Sequence, residues 1–343
     1  MSTSLLLGLL LLSFIVSSLA IVPFISLLYK LQFFKKKTSI HAAKKDTASN
    51  HIRTKSRTPE GAGLLILIIV CLSFAVILPL LKHFGFTISQ VYPINDEINV
   101  IFFTFISFAL LGLYDDIVKY FELDRDLGYA GLKTKHKFII QWILALTIGA
   151  LMYFNLGINI INIPLFGVIT LGKWFILVAA FLIVLMANSV NITDGLDGLA
   201  GGLLMIALFG FWILSASILD TSLSVFLALW LGSLIAFLYF NVFPARIFLG
   251  DVGALSFGAT FAVVGLLLGK IVVVFVVGFL FIVEGLSSLL QIASVKIRGR
   301  RLFPVAPFHY LLLKIGWSET KIVQRAWLAG IMLIVFGIWI STF

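Results

Sequence analysis

Five aspartates, Asp115, Asp116, Asp194, Asp197 and Asp251, stand out in a chain with only 15 acidic residues among 343. Each lies in a short polar stretch between long apolar runs, and Asn191, Asn241, Lys119, Lys137 and His309 lie in the same set of stretches. Carboxylates beside amide oxygens and glycine-rich backbone make a hard-oxygen environment that suits a divalent cation, Mg2+ above all. Mg2+ held by one or two carboxylates completes its shell with water and phosphate oxygens, and lysines nearby would hold further phosphate oxygens. The chemistry such a set can perform is phosphoryl transfer with Mg2+ as cofactor. One substrate should be water-soluble and the other a lipid.

The densest stretch, Asn188 to Gly202, holds two asparagines, Asp194, Asp197 and four glycines between two apolar runs. Lipid-facing backbone cannot adopt such a loop, because each unsatisfied polar group in hydrocarbon costs several kcal/mol. It reads as the wall of a polar site. Asp115 and Asp116 end another apolar run, with Lys119 one helical turn beyond Asp115. They fit either an i,i+4 ion pair at a helix end or a cation or phosphate site. Asp251, followed by Gly253, is either the N-cap of the next helix or part of the site. His309 lies between Pro307 and an amphipathic segment, and both a structural and a functional role fit it. Glu284 has Ser287, Ser288 and Gln291 on its own helix, so an intramembrane functional acid and hydrogen-bonded helix packing are both open. Thr58-Pro-Glu-Gly-Ala-Gly63 opens an apolar run, and a glycine-lined helix start suits a phosphate.

The elements that must position these residues are membrane spans. With 61% hydrophobic and 12% charged residues, the composition excludes a soluble globule. Repeated apolar segments of about 20 residues predict an all-α polytopic membrane protein. Ten spans are expected near 4–29, 61–82, 99–114, 138–155, 174–188, 199–218, 222–240, 253–269, 271–295 and 323–342. The first reads as a genuine span rather than a signal peptide, since no basic residue precedes it. Cys71 lies within a span and serves packing.

A net charge of +10 would suit nucleic acid, but its distribution argues for a membrane instead. The loops 30–60, 115–137, 189–198, 241–252 and 296–322, with the adjoining span ends, hold 22 of the 25 Lys and Arg residues; only Lys82, Lys173 and Lys270 fall on the other side. The positive-inside rule makes the first set cytoplasmic and puts both termini outside. Residues 1–343 then form one integral-membrane domain whose active-site face is that set of loops. Between Gly157 and Gly172, β-branched residues around Pro164 and Gly167 predict a short hairpin on the outer, periplasmic face.

Asp115-Asp-Ile-Val-Lys119, the stretch from Asn188 to Ala200, and Phe248-Leu-Gly-Asp-Val-Gly253 together resemble the polyprenyl-phosphate N-acetylhexosamine-1-phosphate transferase superfamily. Val283-Glu-Gly-Leu-Ser-Ser-Leu-Leu-Gln291, Arg300-Arg-Leu-Phe-Pro-Val-Ala-Pro-Phe-His309 and Gly316-Trp-Ser-Glu319 are similar to its phospho-N-acetylmuramoyl-pentapeptide transferase branch. The resemblance runs from about Lys55 to Trp327. It implies transfer of phospho-N-acetylmuramoyl-pentapeptide from a UDP carrier to undecaprenyl phosphate in the bacterial inner membrane, giving UMP and lipid I for peptidoglycan. It further implies Asp251 as the Mg2+ ligand, and Asp115 and Asp116 serving the lipid phosphate. Lys119 and Asn241, with Lys55 and Lys137, would hold substrate, mainly phosphate oxygens. Asp197 and Phe248 would contact uracil, with Asp194 and Asn191 shaping that pocket, and His309 would act in catalysis. The partners implied are undecaprenyl phosphate, a UDP-linked amino-sugar donor and membrane lipids, with a homodimer allowed and no nucleic acid. Two departures stand out: the family's three consecutive histidines are His309-Tyr310-Leu311 here, and Arg57 stands where glycine is usual. The alternative within the class is a transferase for a simpler UDP-N-acetylhexosamine feeding another glycan. A secondary transporter is disfavoured because the acids gather at one face, Glu284 excepted.

Overall fold

The computed structural model describes residues 3–31, 58–121 and 134–343. Lys55 and Arg57 lie outside the described residues. Among those described there are twelve helices and one two-stranded sheet, and ten helices are long and apolar enough to cross a membrane. In order they are α1 (Thr3–Lys30), α2 (Ala62–His83), α3 (Ile94–Phe121), α4 (Thr134–Phe154), β1 (Ile160–Ile163), β2 (Gly167–Thr170), α5 (Trp174–Thr193), α6 (Leu199–Ser217), α7 (Thr221–Asn241), α8 (Gly250–Leu267), the short α9 (Ile271–Val277), α10 (Phe279–Arg298), the short α11 (Phe308–Lys314) and α12 (Glu319–Ile340).

Helix α8 is the centre of the bundle: every one of its residues except Asp251 is buried. Helices in lipid gain no hydrophobic drive toward each other, so close approach of small residues must hold them together. Such residues recur along α8. A Cβ on Gly63 of α2 would lie 2.1 Å from the Cα of Gly253, and one on Gly112 of α3 would lie 2.2 Å from the carbonyl oxygen of Asp251. The second contact sets α3 directly against the first turn of α8. Deeper in the bundle Phe105 stacks on Phe257 at 5.7 Å between ring centroids, with Trp230 of α7 edge-on to both. Helix α1 is fastened to α7 by hydroxyls, Ser13 Oγ donating to the Leu229 carbonyl at 2.6 Å and Ser17 Oγ to Ser233 Oγ at 2.9 Å.

The hairpin between Gly157 and Gly172 forms as the sequence indicates, with β1 and β2 antiparallel and Ile161 opposite Ile169. Three of the differences from the expected spans bear on the site. The ninth span breaks at Gly278 into α9 and α10, so only α10 is long enough to cross. Helix α3 continues past residue 114 to Phe121, and α5 past residue 188 to Thr193. Polar residues at the membrane face thus stay on helices, because their side chains find partners on neighbouring elements.

Candidate active site

The extension of α3 places Asp115, Asp116 and Lys119 on its last two turns. Asp115 and Lys119, one turn apart, pair at 2.8 Å. The same Lys119 ammonium lies 2.7 Å from Asp251 Oδ2. Lys137, in the first turn of α4, reaches Asp115 Oδ2 at 2.8 Å and Asp251 Oδ2 at 2.5 Å. Two ammoniums and two carboxylates thus alternate in a closed ring contributed by three helices. Asp115 is 2% exposed at its side chain, and the two ammoniums paired with it offset the cost of burying its carboxylate. Asp251 is 16% exposed and Lys119 41%, so the ring opens outward on that side.

Asp116 faces the other way. Its two oxygens accept from the backbone N–H groups of Asp251 and Val252, at 3.2 and 3.1 Å. The first N–H groups of a helix lack intrahelical partners and carry the positive end of its dipole, so a carboxylate there is well placed. A neighbouring helix therefore supplies the cap that Asp251 could have given itself. Asp251 sits in the first turn of α8 rather than before it, and its side chain is released into the ring. Gly250 is required at this junction: its φ is +73°, and a Cβ would lie 2.9 Å from Asp116 Oδ2.

On the far side of α8, the polar stretch after α5 is a true loop only from Asp194 to Gly198. Asn191 lies on α5, half-buried, and Asp194 is the C-cap of that helix. Asp197 accepts from the Ala245 N–H at 2.9 Å, and its own N–H donates to Glu319 Oε1 at 2.6 Å. Gly198 N–H donates to Asn241 Oδ1 at 3.1 Å, while Asn241 Nδ2 donates to the Ile247 carbonyl at 2.8 Å. Asn241 is 1% exposed, so it braces two loops in this arrangement. Trp327 Nε1 donates to the Gly198 carbonyl at 3.1 Å and closes the loop from above.

Phe248 is 7% exposed and its backbone pairs with residues 59–62. Its carbonyl accepts from the N–H groups of Gly61 and Ala62, and the Leu249 carbonyl accepts from Gly63. The opening N–H groups of α2, expected to cradle a phosphate, are therefore taken by the chain itself. That expectation is corrected: the glycines at 61 and 63 serve close packing on the segment leading into Asp251.

His309, in the first turn of α11, is fully buried. Its Nδ1 lies 3.0 Å from Glu284 Oε2, and its backbone N–H donates to the same oxygen at 3.2 Å. Nε2 faces Gly195, where a Cβ would lie 2.6 Å away. His309 is thereby set against the loop that carries Asp194 and Asp197. The structure thus gathers Asp115, Asp116, Lys119, Lys137 and Asp251 into one cluster and Asn191, Asp194, Asp197, Asn241, Phe248 and His309 around the adjoining loops. Residues 242–249 connect the two. Sequence reading passed over Glu319, although it closes the Gly316–Glu319 motif, and the Gln141–Asn188 pair, where Asn188 Nδ2 donates to Gln141 Oε1 at 2.7 Å.

Three carboxylates converge at the α3–α8 junction, and the most exposed of them is Asp251. Among the described residues no three acids, histidines or cysteines form a metal cage. Mg2+ needs none when substrate phosphate and water complete its shell.

A profile of glycosyl transferase family 4 matches residues 98–269, the part of the chain from α3 through α8. Proteins named phospho-N-acetylmuramoyl-pentapeptide-transferase are similar over nearly the whole chain. The one from Clostridium perfringens strain SM101 is 35% identical, covering 91% of this chain and 89% of its own length. That of Caldanaerobacter subterraneus is 33% identical with 94% of each chain covered, and that of Bacillus pumilus 31% with 96% and 95% covered. The ring of acids and lysines, the braced loop and the buried histidine are thus features of a chain that belongs to the phospho-N-acetylmuramoyl-pentapeptide-transferase family.

Proposed function

We propose that this chain transfers phospho-N-acetylmuramoyl-pentapeptide from its UDP carrier to undecaprenyl phosphate, producing lipid I and UMP. The observation that carries the reading is the charge ring of Asp115, Lys119, Asp251 and Lys137, open on the side of Asp251 and Lys119. Its ammoniums are held between carboxylates and exchange one carboxylate oxygen for a phosphate oxygen when a pyrophosphate arrives. A phosphate oxygen of the lipid attacks the phosphorus bonded to the sugar, that phosphorus parts from the uridine-side oxygen, and UMP departs with the electron pair. Lys119 and Lys137 hold the phosphate oxygens through this exchange. Asp115 stays paired and fixes both ammoniums, and Asp116 fixes the start of α8 and hence Asp251. Asp251 would hold Mg2+, which supplies Lewis-acid polarisation of the pyrophosphate when bound. The loop from Asp194 to Gly198, with Phe248, forms the nucleoside side of the cleft.

The active face lies in the cytoplasm of a bacterial inner membrane. The bias of Lys and Arg toward the loops of that face supports this orientation. Single cysteines at Arg300 and Phe166, in a chain with Cys71 replaced, test it in intact spheroplasts. An impermeant maleimide should label the second and spare the first.

Purified protein, undecaprenyl phosphate and individual UDP-sugars test the activity. Lipid product should form from UDP-N-acetylmuramoyl-pentapeptide; product from UDP-N-acetylglucosamine alone would replace this donor with the simpler one.

A further inference from the structure

Glu284 lies inside a membrane span and is 7% exposed, and the mechanism above makes no use of it. An acid buried in a span would be explained by hydrogen bonds within its own helix. Ser287 Oγ does donate to the Glu284 carbonyl of the same helix at 2.8 Å, but the carboxylate of Glu284 and the amide of Gln291 go elsewhere. Glu284, Ser287 and Gln291, at i, i+3 and i+7, share one face of α10. All three take hold of the segment from Leu302 to His309. Gln291 Oε1 accepts from the N–H groups of Leu302 and Phe303, and its Nε2 donates to the Phe303 carbonyl at 3.1 Å. Ser287 Oγ accepts from the Phe308 N–H at 3.1 Å. Glu284 Oε2 takes both the backbone N–H and the Nδ1 side of His309.

We infer that Glu284 is a positioning residue for His309 in the transfer reaction, resting on the activity proposed above. A backbone N–H can only donate, so it fixes Oε2 as an acceptor. In neutral histidine that acceptor puts the ring proton on Nδ1 and leaves the Nε2 lone pair toward the loop. Nε2 has no hydrogen-bond partner among the described residues and faces Gly195, beside Asp194 and Asp197. A buried ring nitrogen without a partner is costly in a resting protein, which fits a group that a substrate completes. On the other side Gly285 brings α10 against α5, where a Cβ would lie 2.4 Å from Ser189 Oγ. Glu284 and the loop following α5 are therefore held in fixed relation.

The test is a double-mutant cycle on UMP release by the purified full chain, run with whichever UDP-sugar the parent accepts. The outcome is thereby separated from the choice of donor. Glu284→Ala should lower kcat about a hundredfold with little change in donor KM, the loss that a misplaced catalytic group produces. In a His309→Ala background the same change should cost less than about threefold, because the two act as one unit. An equal loss in both backgrounds overturns the inference. A comparison of Glu284→Gln with Glu284→Asp carries the case where the alanine variant fails to fold. Glutamine keeps an acceptor at the right reach and should stay within about tenfold of the parent, whereas aspartate keeps the charge but falls short by one methylene and should lose about a hundredfold. Aspartate equal to or better than glutamine overturns the assignment.

Discussion

Helix α3 carries buried acids at both ends, and the two ends differ. At one end Asp115 and Asp116 meet Lys119, Lys137 and Asp251. At the other, about 27 Å away along the helix, Glu97 meets Asp220 at the start of α7. Glu97 and Asp220 are 0% and 1% exposed, and the hydroxyl of Ser222 bridges them. Asp220 also caps α7 through the Leu223 N–H at 3.1 Å. No lysine or arginine pairs with either among the described residues. Burial of carboxylates alone therefore does not mark a site. Ammonium partners and an opening to the outside distinguish the end proposed as catalytic, since a phosphate can replace a carboxylate at an ammonium but has nothing to bind where only hydroxyls and a helix cap are present.

The comparison breaks first at Asp251. Asp251→Asn should stop Mg2+-dependent UMP release, a loss of about a thousandfold or more given the charge it removes, while the protein still elutes as folded. UMP release near the parent rate would remove Asp251 from the metal's shell. Chelation of the parent enzyme should give the same silence, restored by added Mg2+; activity that survives exhaustive chelation would discard the metal. Lys137→Met should reduce kcat about a hundredfold, since one phosphate-holding ammonium is lost and Asp115 and Asp251 are left with Lys119 alone. A shift in donor KM without a change in kcat would instead make Lys137 a uniform binder. The smallest effect belongs to the opposite end. Asp220→Ala should lower stability by about 1 kcal/mol through the lost cap and leave UMP release within about twofold of the parent. A catalytic loss there would mean that Glu97 and Asp220 communicate with the ring.

Asp116 shows how residue type and role come apart. The resemblance gave Asp115 and Asp116 one shared role at the lipid phosphate, while their spacing allowed the Asp115–Lys119 ion pair that forms. Consecutive residues on a helix point about 100° apart, so one enters the ring and the other reaches the α8 backbone. That division depends on where α8 starts and on Gly112 letting it come close, neither of which is local to the two aspartates. Asn241 is similar: the resemblance implied a phosphate contact, and the fold uses both ends of its amide on backbone.

The sequence by itself determined the class of the protein. Apolar runs long enough to span a bilayer, and polar stretches between them, leave helices as the only satisfied backbone in lipid. The same economy exposed the site, because acids are scarce and five of them fall in those stretches. Periodicity also revealed the hairpin around Pro164 to Gly167, which forms between β1 and β2. Tertiary structure alone decided the partners. The ring joins residues 115, 119, 137 and 251, and the histidine clamp joins 284 to 309. Which lysine meets which carboxylate, and which acid caps a helix instead, follows from helix packing at distances of a few ångströms, and glycines far apart in the chain set those distances.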